Sequence, residues 1–197
     1  MLPMNSPVAT PAASEDGLVC AAQRGDRSAF GLLYARYARM VHGILLSRVP
    51  YSDVDDLVQD VFLQALPRLS SLRDVSKFPG WLAAIARNRA TDFHRRAKSF
   101  DDLPTDTTGE SNTFTPSIPP NSHSRTEAHA ALDAILSLPE TYRETLVLRL
   151  VEGMTGPEIA ARTGLTHGSV RVNLHRGMQQ LRQLLGRKAA SLTGGEL

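Results

Sequence analysis

Between Ser99 and Arg125 the chain loses the helical period that governs nearly everything else in it. That stretch is rich in Pro, Ser, Thr and Asn and carries few large apolar side chains, so it reads as a flexible linker. As a random coil it separates its ends by roughly 30 Å. The constraint on folding is direct: the apolar stripes before and after it must each build a core of their own. The expected class is all-α, two small helical domains joined by a linker.

Charge follows the same division. Residues 15–98 sum to +4, residues 99–125 to −3 and residues 126–197 to +1, within a net charge of +2. The first part favours a polyanion and the linker repels one. A single cysteine, Cys20, excludes an internal disulfide and any CxxC metal site. Residues 1–14 contain no Lys or Arg and read as a disordered tail rather than a signal peptide. No apolar run approaches the roughly 20 residues of a membrane span, so a soluble, cytoplasmic protein is expected.

In the first half, Ser14 is placed to cap a short helix that ends at Gly25, and Asp26 to cap a longer one. The stripe Phe30, Leu33, Tyr34, Tyr37, Val41, Ile44 and Leu45 gives that second helix its core face. Ser52–Asp55 has the spacing of a capping box for a third helix, which Pro67 is expected to end. Leu57, Val58, Val61, Phe62 and Ala65 form its inner face. Asp53, Asp56, Gln59 and Asp60 point outward, with Leu63 among them. Acids in the first turn suit the helix dipole, but an exposed leucine among carboxylates fits a protein-contact surface better.

A turn-prone loop, Ser70–Lys77, leads into FPGWLAAIARNRATDFHRRAK, residues 78–98. Phe78, Leu82, Ile85, Ala86 and Phe93 make its buried face. Arg87, Thr91, His94 and Lys98 lie opposite, Arg95 and Arg96 add charge, and Trp81 sits at the edge of the core. Phosphates meet arginines and an exposed base meets a ring, so this face suits unpaired nucleic acid. It equally describes a solvated amphipathic helix with a core tryptophan. Arg89 falls on the apolar stripe and needs a carboxylate partner that the sequence does not identify.

The second half begins with a helix through Leu132, Ile135, Leu136 and Leu138, broken by Pro139. The next helix carries Tyr142, Leu146, Val147, Leu150 and Val151 as its stripe and ends at Gly153. Thr155–Glu158 is a capping box with proline in the first turn, opening a short helix that stops at Gly164. Thr166 caps a last helix expected to reach about Leu185, before Gly186. Val170, Leu174, Leu181 and Leu185 face inward, while Gly168, Ser169, Arg171, Val172, His175 and Arg176 face outward. Short helix, glycine turn and longer helix with a polar N-terminal half make a helix-turn-helix. Arg, Ser and His supply hydrogen bonds to base edges, and Val172 suits a thymine methyl. A helical hairpin with a solvated face has the same outline.

Taken together, FGLLYARYARMV, DVDDLVQDVFLQAL and FPGWLAAIARNRATDFHRR in the first half, with LPETYRETLVLRL and the helix-turn-helix in the second, resemble a bacterial RNA polymerase sigma factor of the extracytoplasmic-function (ECF) group. The resemblance implies a region 2 bundle over residues 15–98 and a region 4 helix-turn-helix over 126–187, between tails 1–14 and 188–197. It implies that Asp56, Gln59, Asp60 and Leu63 dock on the polymerase clamp. It assigns minus-ten promoter contacts to Leu72, Arg73, Ser76, Lys77, Trp81, Arg87, Asn88, Arg95 and Arg96. Minus-thirty-five contacts fall to Ser169, Arg171, Val172, His175 and Arg176. The implied partners are core RNA polymerase, promoter DNA and an anti-sigma factor, with no cofactor and no metal. The acidic linker is placed like one that follows the path of nascent RNA.

Two pairs depart from many relatives: Val172-Asn173 stands for Ser-Arg and Gly177-Met178 for Ala-Arg. Fewer arginines imply a weaker phosphate grip. Gly177, which costs about 1 kcal/mol in a helix interior, implies close packing or a bend. The chain has no phosphate-binding glycine loop and no HExxH, so catalysis is not expected. A stand-alone helix-turn-helix regulator would leave residues 15–98 without a task. An adaptor lacking promoter specificity would leave Arg171, His175 and Arg176 dispensable.

Overall fold

The computed structural model describes residues 14–101 and 123–193, with side chains placed for 14–97 and 129–186. The tail expected before Ser14, residues 102–122 of the linker and residues 194–197 lie outside the described residues, while residues 188–193 of the expected C-terminal tail continue a helix. Ser14 accepts from the Gly17 amide (3.2 Å) and opens α1, Glu15–Gln23. Asp26 accepts from the amides of Ser28 and Ala29 (2.9 and 3.1 Å) and opens α2, Arg27–Leu46. Between them Gly25 takes φ 93°, a left-handed turn that side chains disfavour. Then come α3 (Val54–Arg68), α4 (Phe78–Asp101), α5 (His123–Leu136), α6 (Glu140–Leu150), α7 (Gly156–Thr163) and α8 (His167–Thr193). Every regular element among the described residues is helical, as expected.

Three helix ends differ from the sequence expectation. Residues Tyr51–Asp53 form a 3-10 turn that keeps Asp53 helical, and its side chain makes no cap bond; Ser52 donates instead to the Asp53 carboxylate (2.9 Å). A capping side chain reaches back to the first turn from extended backbone, which this lead-in prevents. Pro67 lies inside the last turn of α3 rather than beyond it, where a missing N–H costs a single frayed bond. Finally, α8 runs through Gly186 to Thr193; one glycine's cost of about 1 kcal/mol does not stop a long helix.

The first core is built where α2 and α3 cross α4. Leu33, Tyr37, Met40, Val41 and Ile44 pack with Val61, Ala65, Phe78 and Leu82, all essentially without exposure. The Phe78 ring meets Tyr37 edge-on at 5.3 Å between centroids. Around α6, Leu146, Val147, Ile159, Val170 and Leu181 are buried in continuity with the first group, so the two halves share one apolar cluster rather than the separate cores expected. Tyr34, expected inside, is 40% exposed with its ring against Phe62 at 4.6 Å. Leu150, Val151 and Leu185, also expected inside, are exposed.

The halves meet directly. α6 packs against α2 and α4 against α7, so Leu148, which the stripe left out, is fully buried. Its contact is Gly43 of α2, where a Cβ would come within 2.7 Å of Leu148 Cδ2. Burying a leucine this fully contributes about 1.5–3 kcal/mol.

Candidate nucleic-acid and polymerase interfaces

On α3 the sequence-predicted protein-contact residues separate into two kinds. Asp56, Gln59 and Leu63 are exposed, Leu63 at 68%. Asp60 instead turns to α4 and accepts from Arg89 Nη2 (2.5 Å) and Nε (3.2 Å). This is the carboxylate that Arg89 needed, and the pair braces α3 on α4. Leu66 of α3 and Leu32 and Tyr34 of α2 are exposed as well. Sequence reading missed Leu32 and Leu66; their position one step off the core stripe was the available signal.

The loop before α4 is ordered by its own polar groups. Asp74 accepts from the Ser76 hydroxyl (2.6 Å) and amide (3.2 Å), with Lys77 Nζ at 3.5 Å. The Ser76 hydroxyl is the main reason the Asp74 carboxyl sits below its usual range. Gln23, which sequence reading passed over, donates from Nε2 to the carbonyls of Leu69 (3.0 Å) and Leu72 (2.8 Å), tying α1 to this loop. Arg73 is exposed, and Trp81 is half-buried with its ring 5.9 Å from Phe78. The placement at the core's edge is the one expected.

Along α4 the basic residues do not share one open face. Asn88 and Arg96 are exposed, and Arg95 pairs with Asp92 at 3.0 Å. Arg87 points to the other half of the molecule. Its Nη2 and Nε reach the Glu144 carboxylate (2.6 and 3.1 Å), and Nη2 also donates to the Thr163 carbonyl (3.2 Å). Arg48 Nη2 joins Glu144 at 2.9 Å and Nη1 pairs with Glu140. Burial works to raise the Glu144 pKa, but the hydrogen bonds and charges of Arg87 and Arg48 outweigh it and hold the carboxyl below its usual range.

A second acid repeats the pattern. Glu152 is buried; its Oε1 lies 2.6 Å from His42 Nδ1 and its Oε2 3.6 Å from Arg39 Nε, while its carbonyl accepts from Arg39 Nη2. The hydrogen bond that His42 donates to Glu152 raises the His42 pKa; burial opposes the rise, and the charges of Glu152 and Asp55 reinforce it.

The helix-turn-helix forms as its sequence dictates. Thr155 and Glu158 complete the capping box, and the Thr155 amide is the main group holding the Glu158 carboxyl below its usual range. Gly164 takes φ 76° at the turn. Thr166 caps α8, accepting from the Ser169 amide (3.1 Å), and its hydroxyl meets that of Ser169 (2.8 Å). The Ser169 hydroxyl is therefore partly committed to the cap. Arg171, Val172, His175 and Arg176 line one exposed face of the following turns. Gly177 lies opposite, where a Cβ would come within 2.9 Å of Leu146 Cδ1; this is the close packing that its position implied.

The outline is that of a two-part transcription factor: a helical bundle with an acidic, leucine-bearing face, joined to a helix-turn-helix. The sigma-70 region 2 family matches residues 33–100 and the sigma-70 region 4 family residues 128–181. The chain is 34% identical over 164 residues to RNA polymerase sigma factor CarQ of Myxococcus xanthus, covering 82% of this chain and 92% of that one. It is 35% identical over 172 residues to the ECF RNA polymerase sigma-E factor of Escherichia coli K12, covering 83% and 90%. Among solved structures it is similar to CnrH in complex with the cytosolic domain of CnrY (TM-score 0.61, 27% identity, 88% of this chain and 97% of that one). The fold is also that of the sigma factor RpoE of Bartonella quintana, solved with the anti-sigma factor NepR (TM-score 0.53, 21% identity, 80% and 96% covered). The chain belongs to the ECF group of the sigma-70 family and is an RNA polymerase sigma factor. Among the described residues, no helix is long and apolar enough to cross a membrane.

Proposed function

We propose that this sigma factor divides its work among three surfaces, and that it acts in the cytoplasm without catalysis of its own. Asp56, Gln59 and Leu63 dock on core polymerase, with Asp60 holding α3 in place through Arg89. Leu72, Arg73, Ser76, Lys77, Trp81, Asn88, Arg95 and Arg96 engage the minus-ten strand, joined by Arg87 once it is released from Glu144. Arg171, Val172, His175 and Arg176 read the minus-thirty-five element, with Ser169 at its edge. The units that do this span residues 15–98 and 126–187.

The observation that carries the reading is the exposed face of α8 on the same chain as a leucine-bearing acidic helix and a half-buried tryptophan over an ordered loop. A stand-alone regulator would use the first surface and have no work for the others. Opening DNA costs a few kcal/mol per step, and stacking an extruded base on Trp81 offsets part of it. Like the structural relatives solved with CnrY and NepR, this chain is expected to have an anti-sigma partner.

The test is in vitro initiation. Purified chain is added to core polymerase on a library of randomised promoters, and the transcripts are sequenced. Start sites that depend on the chain, behind one spaced pair of motifs, support the reading. Unchanged transcription, with tight duplex binding in the absence of core, would move the assignment to a stand-alone regulator.

A further inference from the structure

We propose that the free chain closes on itself through a latch in which buried Glu144 of α6 holds Arg48 of α2 and Arg87 of α4, so that a residue meant for promoter DNA is kept on the chain's own carboxylate. The proposal rests on the functional reading above, which places Arg87 at the minus-ten strand.

Three independent features of the interface support a specific closed state. Glu144 has a side chain only 7% exposed, and both of its arginine partners come from the other half of the molecule. A buried carboxylate needs such partners to stay charged; in an open chain water would take their place. Glu152 repeats the arrangement on His42 and Arg39. Close approach is also built into the backbone. At Gly43 a Cβ would meet Leu148 Cδ2 at 2.7 Å and Glu152 Cγ at 2.8 Å, and no atom of its own half within 4 Å is among those three nearest contacts. A Cβ at Gly80 would lie 3.6 Å from the Gly164 Cα, which brings α4 against the turn of the helix-turn-helix. Arg162 completes the contact, its guanidinium 5.8 Å from the centre of the Tyr37 ring and Nη1 donating to the Arg36 carbonyl (3.3 Å).

The seam joins charged groups that water can take over on opening, Glu144 with Arg48 and Arg87 and Glu152 with Arg39 and His42, to an apolar contact of Leu148 on Gly43. A partner or promoter that binds the open form then shifts the population towards it. DNA competes with Glu144 for the same guanidinium, since phosphate and carboxylate accept the same fork of donors.

The experiment uses the full chain carrying Cys20→Ser, with fluorophores on cysteines placed at exposed Ala35 of α2 and Ala161 of α7, which flank the Arg36–Arg162 contact, and follows energy transfer between the two halves. Two variants attack the latch differently: Glu144→Gln removes its charge, and Gly43→Leu wedges the seam. The parent chain should show a high-transfer population that falls in both variants while helix content by circular dichroism is kept. Both variants should bind a single-stranded minus-ten oligonucleotide at least about fivefold more tightly than the parent, without core. Adding Arg87→Ala should erase that gain.

Transfer that is low in the parent, or unmoved by both variants, would overturn the closed state. Transfer that falls while strand binding stays at the parent level would overturn the masking of Arg87. Initiation by the parent chain with core polymerase depends on neither result, so failure of the latch and failure of the sigma reading are told apart.

Discussion

Arg89 on α4 and Asp60 on α3 form a forked ion pair, with Nη2 and Nε both on Oδ2 at 2.5 and 3.2 Å. The Arg89 side chain is 11% exposed and that of Asp60 42%, so the pair is a half-buried brace. Asp60→Asn leaves the arginine without its charge partner and should cost about 1–2 kcal/mol, the lower part of the usual range because water still reaches Asp60. Urea unfolding measures it. A variant as stable as the parent would return Asp60 to the docking surface and remove its bracing role.

Leu63 gives the opposite signature. At 68% exposure, its replacement by Ala should leave stability within about 0.5 kcal/mol of the parent. If it anchors polymerase, the same change weakens core binding by about tenfold or more, as truncation of an interface anchor does. Fluorescence anisotropy of labelled chain against core polymerase separates the two quantities.

The contrast between these neighbours shows what a sequence can carry. Caps at Ser14, Asp26, Thr155 and Thr166, and turns at Gly25, Gly153 and Gly164, depend on residues a few positions apart, and all form as read. The exposed face of α8 was legible for the same reason. α6 was not. Its stripe omitted Leu148, Glu144 and Thr145, which are buried, and included Leu150 and Val151, which are exposed. A helix covered on one side by its own half and on the other by α2 loses the single-face period on which the reading relies. Arg48 and Arg87 lie far from Glu144 in sequence, and no local pattern reports such a pairing.

On the recognition helix, Arg171→Ala should leave stability within about 0.5 kcal/mol, because the side chain is exposed. If Arg171 reads a base edge, the change costs about 1–3 kcal/mol at the cognate minus-thirty-five element and relaxes preference at one position. If it grips phosphate only, binding weakens uniformly across sequences and the salt slope falls by about 1. Competition among randomised elements at two salt concentrations tells these apart.

pH should act on the seam through His42. Its pKa is raised above the ordinary 6.5, chiefly by the hydrogen bond to Glu152. A raised folded value means that the folded chain holds this proton more tightly than the unfolded one. The contribution is therefore complete below 6.5 and is lost as pH rises through the folded value. Transfer between the labelled halves, and urea stability, should both decline across that window. His42→Gln should remove the decline, whereas a slope unchanged by His42→Gln would assign it to another group.

Gly177 tests how tightly α8 sits on α6. In an open helix, Ala at this position would stabilise by about 1 kcal/mol. Here the added methyl would stand 2.9 Å from Leu146 Cδ1, 3.1 Å from Tyr142 Cβ and 3.2 Å from Leu146 Cγ. The Leu146 methyl can rotate away, but Tyr142 Cβ moves only with the α6 backbone, and overpacking of this kind costs about 1–3 kcal/mol. The clash should therefore outweigh the helix preference, and Gly177→Ala should lower the stability of the second half. Differential scanning calorimetry measures the change. A raised Tm would mean that α6 yields easily, and that the glycine is not required for the packing of the helix-turn-helix.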